Sequence, residues 1–164
     1  MFGKPITNAL LCSLVLAAAF LLAPVAAAGG FYLAVERPAK TDSEYKDAVV
    51  LVRPYGCHQP EDAKVTVTAE GIVNGKRQSI AVQLTRATKG VYAVKQQWPA
   101  AGAWVLNISG EYLGTVRSAL VELGAEGRLQ SGDDKVAARL ESRKFTAAEI
   151  DDTLQHLSGR LAQR

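Results

Sequence analysis

KVTVTAEGIVNGKRQSIAVQLT, residues 64–85, is the stretch that decides the fold. Val65, Val67 and Ala69 fall on one side of an extended chain, and Thr66, Thr68 and Glu70 on the other. That period of two belongs to a strand with one face in a core. Asn74-Gly75 follows, and both residues tolerate the positive φ of a tight hairpin turn. The return run then sets Ile80, Val82 and Leu84 against Gln83 and Thr85. The pattern predicts an antiparallel sheet with one wet face.

The same texture extends outward. AVVLVR (48–53) is apolar on both faces, as a central strand is, and the loop PYGCHQPED follows it. GVYAVKQQW (90–98) carries Tyr92, Val94 and Trp98 on one side, Pro99 to Gly102 make a turn, and AWVLNIS brings Trp104, Leu106 and Ile108 to one face. A turn over Gly110 to Gly114 and a strand over TVRSALVEL (115–123) complete six strands, with a seventh at Phe31 to Val35. Short strands at this spacing predict a mainly β fold, an antiparallel immunoglobulin-like β-sandwich over 48–124. Residues 29–47 are read as an N-terminal strand and linker, since ERPAKTDSEYKD has no apolar period. Residues 125–145 are a connector holding one hairpin or none.

Residues 146–164 predict an amphipathic C-terminal helix. Thr146 and Glu149 have capping-box spacing. Ile150, Leu154, Leu157 and Leu161 form a narrow stripe. A helix this short needs that stripe buried. The expected cover is its own sandwich; the alternative is another envelope protein or a second copy.

The N-terminus reads as an export signal. Lys4 is the first charge, Ala9 to Ala23 is apolar apart from Ser13, and small residues end at Ala26-Ala27-Ala28. These features match a signal peptide over 1–28, placing the mature chain in the periplasm or outside the cell. A membrane contact is expected only if that segment is retained. Cys12 leaves with the signal, so Cys57 remains without an intramolecular disulfide partner and the domain must stand on its core. With 19 basic and 16 acidic side chains scattered along the chain, no nucleic-acid footprint is expected.

The run Gly90-Val-Tyr92 … Trp98-Pro-Ala-Ala-Gly102-Ala-Trp104-Val-Leu106 resembles the YtkA-like and FixH-like group of small exported immunoglobulin-like modules. The resemblance covers roughly residues 62–110. It implies a place in the bacterial envelope and, in some members, copper handling or oxidase assembly. This chain departs from a copper carrier in lacking thioether ligands: Met1 is its sole methionine.

Cys57 and His58 form the candidate metal site, displayed in a loop with Glu61 and Asp62 close behind. They support an alternative reading as a copper- or zinc-handling accessory protein. His156 reads as an exposed helix residue. No cofactor is expected, and no nucleophile elbow, zinc-protease helix or phosphate loop is present in the sequence. A binding or accessory module is therefore expected rather than an enzyme, with a small secreted enzyme as the remaining alternative.

Overall fold

The computed structural model describes residues 30–39, 45, 47–56, 58–88, 90–129 and 136–163. The expected signal over 1–28, with Cys12, lies outside the described residues, as does Cys57.

Nine strands are described: β1 (Phe31–Glu36), β2 (Ala48–Gly56), β3 (Lys64–Val73), β4 (Lys76–Ala81), β5 (Leu84–Thr88), β6 (Val91–Lys95), β7 (Ala103–Tyr112), β8 (Thr115–Glu122) and β9 (Ala138–Glu141). The helix α1 (Ala147–Ala162) closes the chain. One sheet has the order β1-β2-β6-β5 and the other β4-β3-β7-β8-β9. All pairings are antiparallel. Setting β9 aside, this is the immunoglobulin strand order. The two sheets enclose Val50, Val52, Val67, Ala69, Trp98, Trp104, Leu106, Ile108 and their neighbours.

The hairpin between β3 and β4 turns at Asn74 and Gly75, with φ of 50° and 71°. Its return strand is shorter than the alternation implies. β4 ends at Ala81, and Leu84 begins β5 in the opposite sheet. Val82 stays at the crossing, its N–H donating to the Val67 carbonyl at 2.9 Å. The Gln97 side chain then holds Gln83, accepting from its N–H at 2.9 Å and donating to its carbonyl at 2.8 Å. The crossing keeps Ile80, Val82 and Leu84 against the same core, so the apolar period does not register it.

Other limits shift too. β2 runs through Pro54 and Tyr55 to Gly56, where a loop is expected, and β7 runs to Tyr112 before a turn at Leu113-Gly114. Trp98 follows β6 rather than ending it, and its indole N–H donates to the Gly127 carbonyl at 3.0 Å. The sandwich also exceeds 48–124, because β1 and β9 belong to its sheets. Among the described residues of the 125–145 connector lies one strand, β9, paired with β8.

The second sheet's outer face is wet only in part, with Thr66 and Glu111 exposed and part of it under the helix. Ile150, Leu154 and Leu157 of α1 lie on Ala103, Val105, Leu120 and Phe145, so the helix stripe is covered by the chain's own strands. Glu70 is buried at this margin. Arg77 donates to it at 2.7 Å and to Asp151 of the helix at 2.8 Å, while the Ser79 hydroxyl donates at 2.9 Å. At the helix start the Thr146 hydroxyl accepts from the Glu149 N–H, and the Glu149 carboxylate accepts from the Thr146 N–H at 2.9 Å. That carboxylate also pairs with Arg143 at 2.8 Å and Arg139 at 2.7 Å, tying the helix to β9.

Arg143 foremost, then the Thr146 cap and Arg139, hold the Glu149 carboxyl far below the usual carboxylate range. A depressed folded-state pKa gives stability that is fully present above the unfolded value and is lost as pH falls. Lowering the pH from about 4.5, the ordinary value, should therefore destabilise the protein, and Glu149→Gln should flatten that acid limb. Melting curves at stepped pH check this; an identical acid limb in both proteins refutes it.

Candidate functional site

Of the candidate site at Cys57 and His58, the described residues include His58. His58 is exposed, with φ of 64°, beyond the end of β2. Glu61 and Asp62 sit in the short 3-10 turn Pro60–Asp62. Cys57 is outside the described residues, and among those residues no group of three or more His, Cys, Asp or Glu side chains could hold a metal ion. His156 lies on α1 near Glu122, Asp152 and Arg160, away from His58.

A different surface draws functional groups together. Tyr32, Tyr55 and Leu140 are 46%, 47% and 60% exposed, high values for large apolar side chains. All three line one groove of about 310 Å³ with Leu33, Arg117, Ser118, Glu141 and Ser142. Tyr32 and Tyr55 are register partners across β1 and β2, and their rings stack with centroids 5.4 Å apart. The Arg117 guanidinium lies 5.7 Å from the Tyr32 ring centre, a cation–π contact. The row Tyr55, Tyr32, Arg117 thus joins two stacked rings to a positive charge.

The backbone explains why these groups are presented. Pro54 has no N–H, so its pairing with Leu33 must be of the non-hydrogen-bonded kind. Strand bonding passes through Tyr32 with Tyr55 and through Ala34 with Arg53, and β2 continues across the proline. On its other side β2 pairs with β6 only as far as Val52 with Tyr92, so the missing donor costs no bond there either. Tyr55 is therefore held in a strand and not in a mobile loop.

Arg117 is half-buried. It pairs with Gly110 on β7, in the same alternation as Ala119 with Ile108, so it starts from the inner face of its sheet. It donates a hydrogen bond to the neighbouring Val116 carbonyl at 3.3 Å, and no carboxylate engages it among the described residues. Glu141 shares the groove but pairs with Arg139 at 3.1 Å. The Ser118 hydroxyl is turned toward Ser109 at 3.4 Å. Chemically, the groove can stack a planar or apolar group and receive a carboxylate.

Sequence reasoning missed this surface. Tyr32 and Tyr55 are 23 positions apart, and Pro54-Tyr55 falls where the sequence predicts a loop. A proline flanked by β-type residues, with a second short apolar run upstream, is the signal that would have found them.

The fold defines an antiparallel β-sandwich of immunoglobulin-like strand order with a helix packed on one outer face. No family model matches the chain, and no curated protein or solved structure is significantly similar to it. The likeness to the YtkA-like and FixH-like group therefore rests on the Gly90 to Leu106 motif alone.

Proposed function

We propose that this chain is an exported binding module of the bacterial envelope and that the groove between β1 and β9 is its contact surface. The observation that carries the reading is the convergence of Tyr32, Tyr55 and Leu140 around Arg117. Single exposed apolar residues are ordinary on a soluble protein, whereas a group of them around an arginine marks a contact site. Tyrosine and arginine are the residue types enriched at interface cores. The groove's groups suit binding: the Ser118 hydroxyl faces Ser109, and the Glu141 carboxylate is tied to Arg139. Export is supported by Lys4, the apolar run from Ala9 and the small residues before Gly29.

The test compares co-purification from the native envelope by the tagged full chain and by Leu140→Arg and Tyr55→Ala variants. Both side chains are exposed, so melting temperatures should hold within a few degrees, on the order of 0.5 kcal/mol for surface changes. A companion retained by the native chain should drop at least about tenfold with each variant, given the weight of central anchors. Equal recovery by all three would rule out the groove, and finding the full-length chain in the cytosol would rule out export.

A further inference from the structure

We propose that the groove takes a single extended peptide segment, which pairs with the free edge of β1 as a fifth strand of the first sheet. In that position it sets an apolar side chain over Leu140 and a carboxylate on Arg117. This rests on the groove being the contact surface and names what occupies it.

The two sheets are unequal, four strands against five. β1, the edge of the smaller sheet, packs across β8. β9 lies one place further out, so the position opposite it is vacant among the described residues. Leu140 registers this vacancy. It pairs with Ala119 and alternates with Ala138, which pairs with Val121, so it projects toward the inter-sheet side. Yet it is 60% exposed, because no described strand stands over it.

The edge beside that place is ready for pairing. Since Pro54 fixes Leu33 as a non-hydrogen-bonded position, the N–H and C=O groups of Phe31, Leu33 and Val35 point away from β2. No described strand pairs with them. An added strand would gain main-chain bonds from this edge, and its alternate side chains would fall on Leu33 and Leu140. Arg117 lies at the Phe31 end of the slot, since its pair Gly110 faces Phe31 and Leu33. Its guanidinium has no carboxylate partner among the described residues, which gives the segment its charge.

The slot's width selects the occupant. A second copy offering its own β1 brings its β8 behind that strand, where β9 of the first copy already stands. A lone extended segment has nothing behind it. β9 spans four residues and β1 six, so a segment of similar length fills the slot.

Random heptapeptides displayed on phage, selected against the full chain and then synthesised, test the assignment. Winners should alternate apolar residues and carry a side-chain or C-terminal carboxylate, and Leu140→Arg should abolish their binding. On saturation, amide exchange at Leu33 and Val35 should slow by about tenfold or more, while Tyr32 and Ala34, already bonded to β2, change little. Arg117→Gln should weaken binding about tenfold, as should replacing the peptide carboxylate by an amide. Peptides that need Leu140 but leave Leu33 and Val35 exchange unchanged overturn strand addition while sparing the groove as a contact surface. Peptides indifferent to Leu140→Arg, or no winners, overturn the inference, and the co-purification comparison decides the groove separately. Protection of Leu33 and Val35 before any peptide is added also overturns it. Protection that fades on dilution would assign the slot to a second copy; protection independent of concentration would assign it to another segment of the same chain.

Discussion

Trp104→Ala should lower the unfolding free energy by about 3–5 kcal/mol, the range for emptying a large aromatic site in a core. Against a typical total of about 5–15 kcal/mol, that leaves the sandwich close to unfolding. The reason lies in what surrounds the indole. Trp104 is fully buried on β7, and across the ladder stands Gly71 of β3. A Cβ at position 71 would sit 2.3 Å from the indole ring, so the glycine is there to admit it. The indole N–H also donates to the Ala101 carbonyl at 2.9 Å, fixing the ring at the start of its strand. With the ring gone, a glycine neighbour has no side chain to move into the space.

The same contact makes the prediction a cycle. Gly71→Ala should destabilise the native chain, yet cost little or add stability alongside Trp104→Ala, because the new methyl then enters an empty volume. Neighbours that compete for one space are non-additive in this sense. Urea unfolding of the two single variants and the double variant measures it. Additive changes, or a Trp104→Ala loss below about 1 kcal/mol, would show that the ring is not the centre of the core.

The sequence made the sheets readable because alternation and turn chemistry agreed. Asn74-Gly75 adopts the positive φ pair its residue types favour, and Val67 and Ala69 are buried as their parity requires. Parity could not reveal which sheet a strand joins: Ile80, Val82 and Leu84 keep step through a crossing fixed by Gln97, a contact 14 positions away. β9 was hidden for a different reason. ARLE is short, its leucine is exposed, and its partner β8 lies across a long connection. The groove depends on both hidden facts, the strand running through Pro54 and the extra strand β9. Cys57-His58 is legible because its ligand types are adjacent in one dimension; the groove's members come from β1, β2, β8 and β9 and meet only in three.

Removing residues 146–164 should abolish cooperative folding rather than release a smaller sandwich. The helix covers Ala103, Val105 and Leu120, each at most 3% exposed, on a face the alternation alone would assign to water. Stripping it would expose that apolar floor together with Phe145 and partly buried Ile72. A contiguous uncovered apolar face on a sheet drives self-association. It would also take Asp151 from Arg77, which holds the buried Glu70 carboxylate. A single change probes the same contact without truncation. Leu154 is fully buried at the centre of the stripe, so Leu154→Asp loses the burial of a leucine, about 2–5 kcal/mol, and adds the cost of an unpaired buried charge. Its sum exceeds the Trp104 effect, and the expected product is unfolded or aggregated at ordinary temperature. Exposed Gln155→Asp on the same helix should melt near the native temperature, separating burial from helix propensity. Circular dichroism and sedimentation of the three proteins give the answer. A monomeric truncated chain with a sharp melt would mean that the sandwich closes without its helix and that the stripe is free to serve a partner.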